Sequence, residues 1–142
     1  AGWLAAAVPA EPDRLEELEM AGRRLGRRLA SDGRDVPVEQ RIQAVLAALG
    51  FQPHLHRDTP SAMRFELRNC PYRDAVRANQ PAVCTLHRGI TRGLLDTLDG
   101  RPQLRSFVPR DPDRAGCIVE IEQPDLSAAV TPSVDQSRST TP

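Results

Sequence analysis

The sequence predicts an α+β domain, with an antiparallel sheet of about four strands (two hairpins) packed against helices. Two pairs of segments alternate apolar and polar residues on either side of turn-forming residues, the period-2 mark of a hairpin. The stretches before and between them carry apolar residues at helical spacing. No apolar run approaches the roughly 18 residues needed to cross a bilayer.

Gly2 to Val8 reads as a helical piece carrying the lone Trp3 and ended by Pro9; it has the look of a helix cut at Ala1. A second helix opens at Pro12 and Asp13, with Asp13 as N-cap and Glu16 completing a capping box. Its apolar positions are Leu15, Leu18, Leu25 and Leu29, with Gly22 in the gap and Gly26 four residues on. That register suits either packing on the protein's own core or a dimer seam. The flanking Arg23, Arg24, Arg27, Arg28 and Arg34 read as a solvated face. Pro37 starts a third helix with the stripe Val38, Ile42, Val45, Leu46 and Leu49, stopped by Gly50.

Phe51 to Arg57 and Met63 to Arg68 then alternate about Asp58-Thr59-Pro60-Ser61, a first hairpin. A short helical stretch runs from Asn69-Cys70-Pro71 to about Ala78, and Pro81 opens the clearest helix, ending near Leu98 and Gly100. Leu104 to Pro109 and Cys117 to Glu122 form the second hairpin across the turn-rich Arg110 to Gly116. The expected organisation is one domain over residues 1–122, helical over 1–31 and α+β over 37–122. Residues 123–142 turn to Pro, Ser, Thr and Asp without periodicity and read as a disordered tail.

Composition narrows the functions. The 142 residues balance 19 arginines against 19 acidic residues, so the chain exerts no overall pull on phosphate backbones and is a poor candidate for binding DNA alone. Lysine is absent, which removes Schiff-base and P-loop lysine chemistry. Three cysteines without a charged export leader suggest a reducing, cytoplasmic compartment rather than a disulfide framework.

Four metal-ligating residues fall in suggestive places. Cys70 precedes Pro71 in a loop, Cys84 and His87 form C-x2-H on a helix, and Cys117 starts the last strand. Residues three apart share a helix face, so Cys84 and His87 can converge. With Cys70 and Cys117 they make a Cys3His set suited to zinc or an iron–sulfur cluster. The competing reading is that the thiols are small buried hydrophobes. His54 and His56 alternate on a strand and read as solvent-facing, with a second metal or proton site as the alternative.

The stretch LRNCPYRDAVRANQPAVCTLHRGITRGLL, followed by GCIVEIE, resembles the C-terminal half of bacterial winged-helix regulators of the ArsR/DeoR-like group, including the repressors of iron–sulfur (Suf) assembly operons. The matching motif positions are Cys70-Pro71, Cys84 and Cys117; a first spacing one residue longer than expected and the presence of His87 depart from the pattern. The resemblance implies that residues 1–122 are a metal- or cluster-responsive effector and dimerisation domain, working as a homodimer, with DNA contact through a winged-helix domain N-terminal to Ala1. No catalytic role is expected. A small-molecule-binding module with merely buried cysteines is the second reading, and a Cys/His enzyme with Cys84 as thiol and His87 as base is the third.

Overall fold

The computed structural model describes residues 2–30 and 35–124. In chain order it contains α1 (Gly2–Ala6), α2 (Pro12–Leu29), α3 (Val38–Ala48), β1 (Gln52–Thr59), β2 (Ala62–Arg68), α4 (Arg73–Leu95), β3 (Gln103–Val108) and β4 (Cys117–Glu122). The strands form an open antiparallel sheet in the order β1-β2-β4-β3, so the α+β class stands and both expected hairpins are present. β2 and β4 pair at the centre, with Phe65 opposite Val119 and Leu67 opposite Cys117. Most of the expected tail, residues 125–142, lies outside the described residues, as does Arg34.

Alternation sorts the sheet faces. Met63, Phe65 and Leu67 on β2, with Val119 and Ile121 on β4, turn into a core completed by Ile42 and Leu46 of α3, Leu95 of α4, Phe51 and Leu98. The opposite face carries Arg64, Glu66, Ser106 and Glu120, with the Ser106 hydroxyl donating to Glu120 at 2.8 Å. His54 and His56 are exposed on β1, and His56 Nε2 lies 3.6 Å from the Glu66 carboxylate.

One local expectation changes and another stands. The N-cap of α2 is Glu11 and no side chain caps that end, so the Asp13–Glu16 capping box does not form: Pro12 fills the first helical position and Asp13 falls inside the helix. The two helical stretches expected on either side of Pro81 are present: α4 is two helical segments meeting at a kink at Asn79, whose backbone is non-helical (φ −159°, ψ 78°). Pro81 two residues later cannot continue a regular helix ladder. Asn79 repairs the break from both sides. Its Oδ1 accepts from the Ala82 N–H at 3.2 Å, and its Nδ2 donates to the carbonyls of Val8 (2.8 Å) and Ala5 (3.1 Å), closing the end of α1.

Gly22 and Gly26, which the sequence offers to a possible dimer seam, are buried within the chain. They meet Gly89 and Gly93 of α4, and the pairing runs in the same direction along both helices. A Cβ on Gly22 would strike the Leu86 carbonyl, one on Gly26 the Ile90 carbonyl, and one on Gly93 the Arg23 carbonyl. Glycine is therefore required for the approach: backbone touches backbone, and close contact goes to α4 rather than to a second copy.

Replacing glycine by alanine inside a helix ordinarily stabilises by up to about 1 kcal/mol. Gly26→Ala and Gly93→Ala are expected to do the reverse and destabilise by about 1–3 kcal/mol, because backbone atoms must move apart. Urea unfolding midpoints of the two variants check the sign.

Candidate functional site

The loop before α4, the inner face of α4 and the start of β4 meet over one small cavity. Cys70, Cys84, His87 and Cys117 all line it, beside Phe51 and Phe107. Its free volume is about 20 Å³, room for one water-sized occupant. Cys84 and His87 reach it because residues three apart share a helix face. Cys117 reaches it because β4 runs antiparallel to β2, which sets it opposite the buried Leu67. The Arg110 N–H donates to Cys117 Sγ at 3.2 Å.

The loop between β3 and β4 is tied over the cavity from α4. Gln80 donates to the Arg110 carbonyl at 3.1 Å, and the Arg77 guanidinium pairs with Asp113. Arg110 and Pro112 of that loop join the cavity wall.

The imidazole of His87 is held between aromatic rings. It stacks on Phe51 with centroids 4.7 Å apart and planes 7° from parallel, and meets the edge of Phe107 at 5.1 Å. Although the residue is only half-buried, its Nε2 is sealed from solvent and has no hydrogen-bond partner. An unpaired buried polar atom costs about 1–3 kcal/mol. Burial pushes the imidazole down to about 4.

Burial, with a smaller contribution from the neighbouring Cys117 and Cys70, likewise pushes the Cys84 thiol up to about 11. The Cys70 thiol is also raised, chiefly by burial, against a partial offset from the Tyr72 backbone N–H. The thiols sense one another's charge, so ionising one opposes ionising the next. All three are free cysteines.

The four sequence candidates thus share one cavity. As placed, no group of three or more His, Cys, Asp or Glu side chains among the described residues forms a metal-holding set. His54 and His56 lie on β1 and do not join the cavity. Sequence reasoning missed the aromatic clamp of Phe51 and Phe107 and the Arg110 contact. In the sequence Phe51 belongs to an alternating strand run, and only the fold brings it against a helix residue 36 positions away.

No protein-family model and no curated protein matches the chain. No helix among the described residues is long and apolar enough to cross a membrane.

His87 gives the site a pH signature. Its folded value lies below the ordinary 6.5, so below pH 6.5 the unfolded chain takes up a proton that the folded chain refuses. Stability is unaffected above that range and falls as pH drops from about 6.5 towards 4, by about 2 kcal/mol between pH 7 and 5. Carboxylates held low by arginines, Asp96 and Asp113, titrate beneath this window. His87→Leu is expected to flatten the urea midpoint between pH 7 and 5; an unchanged slope would assign it to other groups.

Proposed function

We propose that the chain is a metal-responsive sensory domain of a transcription regulator, and that Cys70, Cys84, His87 and Cys117 form a site for a single thiophilic divalent ion of the zinc class. One observation carries this reading: an unpartnered, solvent-sealed His87 Nε2 on a cavity lined by three free thiols. Thiolate sulfur and imidazole nitrogen are the donors that zinc prefers. A cavity of about 20 Å³ suits one atom better than a multi-iron cluster or an organic effector. Drawing the four donors onto one point is the rearrangement that binding would impose.

The acid–base balance supports a ligand role over catalysis by a Cys/His pair. A thiol that holds its proton to about pH 11 and an imidazole that accepts one only near 4 do not exchange it. A catalytic cysteine needs its thiol lowered towards neutrality. A metal ion supplies the positive charge this apolar site lacks, and binding then displaces the thiol protons. Transcription control rests on the resemblance at Cys70-Pro71, Cys84 and Cys117, with DNA contact supplied by another domain and a homodimer as the working assembly. The exposed Leu25 and Leu29 on α2 are available for that assembly.

Elemental analysis of chain purified without added metal is expected to give about one zinc per chain, lost in Cys84→Ser and in Cys117→Ser. Zinc affinity should rise with pH, since protons leave on binding, and a chelator should lower the melting temperature. Iron with visible sulfur-to-iron absorption would replace the ion with a cluster. Absence of metal, with melting indifferent to chelator and to added zinc, would overturn the reading.

A further inference from the structure

A second concavity, of about 500 Å³, opens between the C-terminal halves of α2 and α4 and the segment leading into β3. Four arginines line it: Arg23 and Arg27 from α2, Arg92 from α4, and Arg101 from the turn after α4. Asp96 is the one carboxylate in the same wall. The whole chain is charge-balanced, so this positive surplus is local.

Asp96 shows what the cleft is shaped to hold. Arg23 grips its carboxylate with two parallel hydrogen bonds, Nε to Oδ2 at 2.6 Å and a terminal nitrogen to Oδ1 at 2.8 Å. Arg27 adds a third from its Nε at 3.0 Å. Two forks converging on one planar oxyanion is the geometry by which arginine recognises carboxylate and phosphate. The remaining guanidinia are less matched. Arg92 turns to Glu19, which also serves Arg88. Arg101 sits at a left-handed φ of 45° and forms no ion pair among the described residues. Like charges gathered in a concave, partly desolvated wall raise one another's energy unless an anion enters.

We propose that this cleft binds a small anionic ligand carrying two or more oxyanion groups, of the phosphorylated or polycarboxylate class. Its volume lies within the range of small-molecule sites. Asp96 acts as an internal competitor, occupying two of the four arginines until a more highly charged oxyanion displaces it. Arg101 supplies a contact Asp96 does not use. A small molecule fits better than a duplex because the arginines converge inward on a concavity instead of spreading along a surface. The site shares no lining residue with the thiol cavity, so it stands whether or not metal binds there.

Calorimetric titration of the full chain at low ionic strength tests the proposal, with inorganic pyrophosphate and citrate as separate probes. Saturable one-to-one binding of either is expected, and the stronger of the two distinguishes phosphate from carboxylate as the preferred group. Arg101→Asn should weaken it about tenfold; asparagine tolerates the left-handed backbone, and no ion pair is lost, so folding is retained. Asp96→Asn should tighten it several-fold by releasing Arg23 and Arg27, whereas a purely structural Asp96 would give weaker or unchanged binding. The proposal fails if neither probe saturates by about 10 mM, if Arg101→Asn binds as well as the parent chain, or if about 150 mM chloride abolishes binding as for a diffuse charge patch. It fails equally if duplex DNA, and neither small anion, binds in an Arg101-dependent way.

Discussion

Helix α4 is held by direct backbone contact along α2, and the placement of both candidate sites depends on that grip. Gly22 and Gly26 face Gly89 and Gly93, so the two helix axes approach more closely than side chains would allow. Glycine inside a helix sacrifices about 1 kcal/mol relative to alanine. The return is dispersion contact between backbones and Cα–H···O approaches that larger residues would block. At 3.6 residues per turn, Gly89 and Gly93 fall on the side of α4 opposite Cys84, His87 and Leu95. The face committed to α2 thus leaves the opposite one for the sheet, which presents Cys84 and His87 to Cys117 of β4 and to Phe51.

Charge follows the same seam without being its main support. Glu19 accepts from Arg88 and Arg92, and Asp96 from Arg23 and Arg27, so each rim of the α2–α4 contact carries one acid between two arginines. The arginines are 40–53% exposed, and pairs so placed contribute about 1 kcal/mol or less each. Their larger consequence is orientation. Arg23 and Arg27, read from the sequence as part of a solvated face, are instead turned onto Asp96, and with Arg88 and Arg92 on Glu19 two acids hold four guanidinia in fixed directions.

The strands were legible because period-2 alternation leaves little freedom: Met63, Phe65 and Leu67 must share a face, and the turn at Pro60-Ser61 fixes which neighbours pair. The break before the long helix was legible from Pro81, although Asn79, which caps it, was not. The glycine seam was half visible. A four-residue glycine step on α2 suggests close approach, but the matching step at Gly89 and Gly93 is what makes that approach internal. The thiol site was legible as a set of donors on named elements. Its aromatic clamp, its enclosure and the arginine cleft were not, because each joins residues far apart in sequence, as Arg23 joins Asp96 across 73 positions.

Burial gives the thiol cavity opposing tendencies that bear on what it is for. The low-polarity wall of Phe51, Phe107 and Val76 keeps the thiols protonated and the imidazole neutral. In that state the site holds little charge and makes few polar contacts, which leaves His87 Nε2 unpaired. The same wall strengthens attraction between a divalent cation and any thiolate that forms, since charges interact more strongly where water is excluded. A neutral imidazole is already in its ligating form and needs no deprotonation, so only the thiols compete with protons. The donors also come from three separate parts: the loop before α4, the helix itself and the first residue of β4. The Asn79 kink and the loop tied by Arg77 and Gln80 lie beside these donors. The α2–α4 seam resists displacement of the helix body, and the Asn79 amide ties the kink of α4 to the end of α1.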